Sequence, residues 1–225
     1  MIRLMSTKLR VLFLSSPNPD ADLAEQVAEI LTRGDLVAAP TETRYGLLAR
    51  ADRSECLERL VIAKRRPANM ATAVFARDRK EIFSLGTSTK TAEILVDKFL
   101  PGPLTLVLRN RVNLPAPVVV NERIGVRWSS DDFIRRLTSL VSFPITATSA
   151  NISGQEGEGD PEQIARRLGE HLSAIVNAGR LSGPPSTVID CSEEVPVILR
   201  SGAIDVKVIE ELTGISVKWP KRNHS

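Results

Sequence analysis

Apolar residues along this chain fall into two alternating rhythms. Short runs rich in Val, Ile, Leu and Ala predict strands over 11–14, 36–39, 71–76, 104–108, 124–128, 145–148, 174–176, 187–189 and 197–199. The stretches between them carry apolar positions three and four apart. Over 21–32 that stripe is Leu23, Val27, Ile30 and Leu31, with Asp20 placed to cap the helix. Over 54–63 it is Cys56, Leu57, Leu60 and Val61, and further helices are predicted over 91–100, 131–140, 161–168 and 205–212. Strands alternating with helices predict an α/β or α+β domain built on a central sheet. No repeat appears and no Pro/Gly/Ser-rich linker divides the chain, so residues 1–225 read as one domain with its core over about 10–212. The acidic, glycine-rich stretch Ser-Gly-Gln-Glu-Gly-Glu-Gly-Asp (153–160) is expected to be a mobile surface loop, and the tail 218–225 to be frayed.

Composition narrows the class only a little. The chain has 225 residues, 42% hydrophobic and 25% charged, which is ordinary for a globular protein. No apolar run reaches the ~18 residues that a bilayer span needs. The opening MIRLMSTKLR lacks a signal peptide's apolar segment, so a cytoplasmic protein with no membrane partner is expected. Two cysteines, Cys56 and Cys191, are too few for a disulfide framework and are expected to be reduced structural thiols. With only His171 and His224 beside them, no protein-bound metal site is expected. A net charge of +3 suits an anionic partner such as a nucleotide, a phosphate or RNA without choosing among them.

Five polar clusters stand at the ends of predicted strands or, in one case, of a predicted helix. Thr41-Glu42-Thr43 follows the apolar run 36–39, where one hydroxyl would suffice to cap a turn. Lys64 and Arg66 lie two apart just before Pro67, as cations favoured at a helix end or as a grip on phosphate oxygens. Arg127 ends a strand, either solvating an edge or facing a carboxylate. Ser149 and Asn151 leave another strand toward Gly154, a turn composition that also suits anion contacts. Ser186 precedes one strand and Arg200 follows the next, so a hairpin would bring them together. The sequence has no GxxxxGK[ST], GxGxxG or GxSxG motif. The residues by themselves point to a small, anionic, phosphate-bearing ligand and no further.

Taken in order, these clusters resemble the YrdC-like domain of L-threonylcarbamoyl-AMP synthases. The matching stretches are PTETRYGL (40–47), KRRP (64–67), PGPLT (101–105), GVR (125–127), SANISG (149–154), PSTVID (185–190) and ILRSG (198–202). The resemblance covers nearly the whole chain and corresponds to the single-domain form. It implies a twisted mixed sheet flanked by helices, with an open, positively charged cleft. It also implies a reaction in which L-threonine, bicarbonate and ATP, with Mg²⁺, give threonylcarbamoyl-AMP and pyrophosphate. The product would pass to a tRNA-modifying threonylcarbamoyl transferase complex that acts on adenosine 37. Residue by residue, Thr43, Arg127, Ser149 and Ser186 resemble the threonine-holding set. Lys64, Arg66, Asn151 and Arg200 resemble the ATP-contacting set, and Lys64, Arg66, Ser149 and Asn151 would carry the catalysis.

The match departs from the family pattern at several positions expected to form the ligand rim. Phe75 stands where a histidine is usual and Met70 where a polar residue is common. Leu48 and Arg50 replace the glycine and polar residue of YGLGADA, and Ser129 and Asp131 replace a basic motif. QEGEGD (155–160) lacks the usual Ser-Pro-Thr. These departures keep two alternatives open: a non-catalytic RNA-binding protein on the same scaffold, and an adenylyl or carbamoyl transferase acting on another amino acid.

Overall fold

The computed structural model describes residues 10–13, 21–155 and 159–219. In chain order they form β1 (Arg10–Phe13), α1 (Ala21–Thr32), β2 (Val37–Ala39), β3 (Gly46–Leu48), α2 (Ser54–Ala63), β4 (Ala73–Phe75), α3 (Arg79–Leu85), α4 (Lys90–Phe99), β5 (Leu104–Arg109) and β6 (Val119–Val120). There follow β7 (Arg123–Arg127), α5 (Asp132–Leu140), β8 (Ile145–Ser149), α6 (Pro161–Leu168), a 3₁₀ turn at Gly169–His171, β9 (Ala174–Asn177), β10 (Thr187–Asp190), β11 (Val197–Arg200) and α7 (Val206–Thr213). The strands pair in the order β1-β9-β2-β3-β8-β4-β7-β5-β10-β11, with β6 added to β7. The β1–β9, β2–β9, β4–β7 and β5–β10 pairs are parallel and the rest antiparallel. The sheet is therefore mixed, as expected.

Three apolar clusters hold helices to this sheet. Leu23, Val27 and Leu31 of α1 meet Phe133, Ile134 and Leu137 of α5 over Val37, Ile145 and Val176. Leu60 of α2 and Ile164 and Leu168 of α6 pack on Ala38, Leu47 and Ile175. Ile82, Leu95, Val96 and Ile209 cover Leu104, Leu106, Val126, Ile189 and Ile198. Helix starts are chemically marked. Asp78, Thr89, Asp131, Asp160 and Asp205 each accept a backbone N–H of the helix that follows. The expected cap at Asp20 and the end of the 11–14 strand lie outside the described residues, as do 156–158 of the acidic loop.

The fold corrects the expected ends. The core does not stop near 212: Val217 is buried within the third cluster and Lys218 bridges Val197, so the chain is ordered through that point. Trp219 is exposed, and 220–225 lie outside the described residues. Both cysteines are buried thiols. Among the described residues no helix is long and apolar enough to cross a membrane.

One connection shapes the concave face. β9 and β10 are second and ninth in the strand order, so the link between them spans seven inter-strand steps. The link runs as a strap over this face, held along its length by backbone and side-chain hydrogen bonds at Ala178, Gly179, Leu181 and Gly183. It is fastened where it crosses the β2–β3 turn. Tyr45 Oη donates to Gly179 O and accepts from Ala178 N, both at 2.8 Å, and Arg44 Nε donates to Gly183 O at 2.7 Å.

Candidate ligand cavity

On the face crossed by this strap lies a cavity of about 860 Å³, within the range of small-molecule sites. Its wall includes all eight residues singled out in the sequence: Thr43, Lys64, Arg66, Arg127, Ser149, Asn151, Ser186 and Arg200. Their separation in sequence is closed by strand order, because the segments that bear them all reach the same face.

The β2–β3 turn divides its labour between two threonines. Thr41 Oγ1 accepts from Thr43 N at 3.2 Å and Arg44 N at 3.3 Å, and donates to Arg44 O at 2.7 Å. Its only hydrogen is thereby used. The 3.0 Å contact between the two hydroxyls must then be donated by Thr43, whose oxygen accepts from Arg127 Nη2 at 2.9 Å. Thr41 makes the turn, and Thr43 joins the cavity wall.

α2 ends in a reversal that turns two cations the same way. Arg65 has φ of 48°, and its N–H and that of Arg66 return to Ile62 O and Val61 O. Arg65 is exposed, while Lys64 and Arg66 on either side are buried. Lys64 Nζ donates to Ser149 O (2.5 Å), Asn151 O (3.1 Å) and Asn151 Oδ1 (3.3 Å). Burial, and next the Arg66 charge, pull its ammonium down to about 7. Three acceptors around one ammonium oppose that pull by favouring the charged form. Arg66 Nη2 donates to Thr72 Oγ1, whereas its Nε is buried without an acceptor. Burial lowers the Arg66 pKa as well.

The turn after β8 is cross-braced. Ser149 Oγ donates to Asn151 Oδ1, and Asn151 Nδ2 donates to Ile152 O at 3.0 Å and Gln155 O at 2.7 Å. Across the cavity β10 and β11 do form a hairpin. Arg200 donates from Nε (3.1 Å) and Nη2 (2.9 Å) to Ser186 O, and from Nη2 to Ser186 Oγ at 2.9 Å. Ser186 Oγ also meets Thr105 Oγ1 at 3.0 Å. Burial, then the Arg127 charge, lowers the Arg200 pKa.

Arg127 is braced from below by Glu42, whose Oε1 lies 3.0 Å from Nη2. Ser129 Oγ donates to the other carboxylate oxygen, and Asp131 N donates to Ser129 Oγ at 3.2 Å. Burial pushes the Asp131 carboxyl up to about 6, and the neighbouring Glu42 charge adds to this.

Sequence reasoning missed Glu42, Thr72 and Thr105 as site residues, although Glu42 and Thr105 lie within motifs it quoted. Hydrophobic patterning cannot reveal them, because Glu42 and Thr105 act through Arg127 and Ser186, distant in the chain, and Thr72 through the Arg66 side chain across an irregular turn. The expected rim holds at Phe75 and Met70 and is corrected at Leu48, Arg50, Ser129 and Asp131. Phe75 lines the cavity, buried, with its ring centre 5.9 Å from the Arg127 guanidinium carbon. Met70 lines it too, its sulfur accepting from Ser153 Oγ at 3.3 Å. Leu48 instead faces the core, and Arg50 pairs with Asp52 at 2.6 Å and stacks on Phe143. Ser129 and Asp131 stand behind Arg127 rather than on the wall.

Comparison with known proteins places this geometry among relatives. The Sua5/YciO/YrdC family model, described as telomere recombination, matches residues 29–202. The chain is 33% identical over 193 residues to the threonylcarbamoyl-AMP synthase of Bacillus subtilis, covering 84% of this chain and 56% of the relative. It is 29% identical over 198 residues to the uncharacterized protein YciO of Escherichia coli, covering 87% of this chain and 96% of that protein. A crystal structure of Pyrococcus abyssi Sua5 complexed with L-threonine superposes with a TM-score of 0.84 at 31% identity, over 93% of this chain and 62% of that one. The chain thus spans less than two thirds of the Bacillus and Pyrococcus proteins and nearly all of YciO.

Proposed function

Because the chain belongs to the Sua5/YciO/YrdC family, we propose that it joins L-threonine, bicarbonate and ATP into threonylcarbamoyl-AMP. In this reaction the threonine amine and bicarbonate lose water to form a carbamate. A carbamate oxygen attacks the α-phosphorus of ATP, and pyrophosphate leaves. The observation that carries the reading is the meeting of two residue sets in one cavity: hydroxyls around Arg127, and buried cations beside the Ser149–Asn151 turn. The first set suits an amino acid and the second a polyphosphate. The Pyrococcus protein binds L-threonine and the Bacillus relative bears the synthase name, which supports the assignment.

Arg127 would take the threonine carboxylate, with Thr43, Ser149 and Ser186 about the rest of the amino acid. Arg66, whose buried Nε lacks a protein acceptor, and Arg200 would meet phosphate oxygens. Lys64 would act on the nucleotide and, through its three carbonyl and amide acceptors, hold Ser149 and Asn151 in place. A weak nucleophile gains most from such positioning and from charges fixed around the reacting phosphate. Mg²⁺ would arrive with the nucleotide, since the wall offers cations, hydroxyls and amides suited to phosphate. The described residues gather no three His, Cys, Asp or Glu side chains that could hold the ion. When bound, it would offset charge on the departing pyrophosphate. The product would serve a transferase that modifies tRNA.

The test is pyrophosphate release from ATP and bicarbonate with each of the twenty amino acids, repeated for Lys64→Ala and Arg66→Ala. Release that depends on threonine and is lost in both variants is expected. Release with another amino acid instead would reassign the substrate, and silence with all twenty would overturn the reaction.

A further inference from the structure

The carboxylate behind Arg127 is largely buried, fixed and absent from the cavity wall. Glu42 and Arg127 side chains are 14% and 9% exposed, and Glu42 Oε1 accepts no hydrogen bond at 3.0 Å from Nη2, so the contact is one of charge. The other oxygen is tied through Ser129 Oγ to Asp131, which caps α5 by accepting Ile134 N at 3.0 Å. Through this chain a helix start holds the carboxylate in place when a ligand arrives. Thr43 and Glu42 both engage Nη2, while among the described residues Nη1 has no protein acceptor. The guanidinium therefore offers a ligand its free edge with the Glu42 carboxylate at its back.

A buried cation without such a partner would attract any small anion. With Glu42 in contact, its pull on an incoming carboxylate is reduced, and strongly so where little water intervenes. The consequence depends on the ligand's own charge. A ligand carrying an ammonium beside its carboxylate is repelled at one group and attracted at the other, and the two effects largely cancel. A ligand with the carboxylate alone feels only the repulsion. We propose that Glu42 determines specificity at the Arg127 pocket, making it select a zwitterionic amino acid over simple carboxylates and other small anions. This rests on the reading that Arg127 receives the threonine carboxylate. It would also keep polyphosphate away from Arg127 and leave it to Lys64, Arg66 and Arg200. Discrimination of this kind comes from a built-in repulsion and needs no direct contact with the ligand.

The experiment titrates L-threonine and 3-hydroxybutyrate, which is threonine without its amine, into the wild-type protein, Glu42→Gln and Glu42→Asp by calorimetry. Glu42→Gln is expected to bind 3-hydroxybutyrate about tenfold more tightly while threonine affinity changes by less than about threefold. Glu42→Asp keeps the charge but draws it back by one methylene. It should tighten 3-hydroxybutyrate binding by about threefold, and it carries the test alone should Glu42→Gln not fold. An unchanged affinity for 3-hydroxybutyrate, or equal changes for both ligands, overturns the inference. No threonine binding by the wild-type protein removes the proposed threonine substrate and this inference together. Threonine binding with an unchanged ratio between the two ligands removes this inference alone.

Discussion

Arg65 shows how one residue's backbone can aim its neighbours. Its φ of 48° lies in the left-handed region, where a side chain is strained and glycine is the common helix terminator. That reversal lets buried Lys64 and Arg66 both reach the cavity wall while Arg65 itself points to solvent. Glycine here would keep the reversal and remove the Cβ strain. Arg65→Gly should therefore raise unfolding free energy by about 1 kcal/mol in urea melts, with ligand affinities unchanged. A destabilised variant would mean that the arginine side chain holds the helix end in some other way. The KRRP motif made Lys64 and Arg66 visible as candidates in the sequence. The left-handed residue between them was not visible, because nothing in its identity favours that conformation.

The start of α5 is where one element's end reaches the site. Asp131 caps the helix and also sits behind Glu42, and its carboxyl is pushed up to about 6 from 3.8, chiefly by burial. A carboxyl with a raised folded pKa binds protons more readily in the native state than in the unfolded one. Its contribution to stability is thus present at low pH and lost as pH rises from about 4 through about 6. Asparagine caps as well and carries no charge. Asp131→Asn should leave stability unchanged near pH 4 and raise it by about 1–3 kcal/mol at pH 7, as read from urea unfolding at both values. A gain that does not vary with pH would show that the carboxyl titrates normally. Elements like α5 were legible from the spacing of Phe133, Ile134 and Leu137, whose apolar face the core absorbs. β3 and β6, at three and two residues, were not, since so short a run carries no period. α3 was missed for a related reason: in seven residues only Ile82 and Leu85 are buried.

At the scale of the whole molecule, the cavity depends on a strap whose course no local pattern could show. Strand order sends residues 178–186 from β9 over the β2–β3 turn to β10, and the order of strands is set by packing partners far apart in the chain. The sequence therefore revealed the motifs of the site but not what holds them together. At Gly183 the strap passes close over the β2–β3 turn. A Cβ added there would lie 2.9 Å from the backbone oxygen of Thr43, and a backbone atom cannot step aside as the end of a side chain can. Alanine must lift the strap from the β2–β3 turn, lengthening the Arg44 Nε to Gly183 O bond of 2.7 Å and disturbing Thr43, which orients Arg127. Gly183→Ala is expected to cost about 1–3 kcal/mol of stability and to weaken threonine binding. Ser182→Ala, one residue earlier on the exposed side of the same strap, should stay within about 0.5 kcal/mol of the wild type and bind normally. Paired urea melts and threonine titrations decide the matter. If the two variants behave alike, the close passage at Gly183 does not fasten the strap. If Gly183→Ala loses both stability and threonine while Ser182→Ala loses neither, then the long crossover helps build the amino-acid end of the cavity as well as connecting two strands.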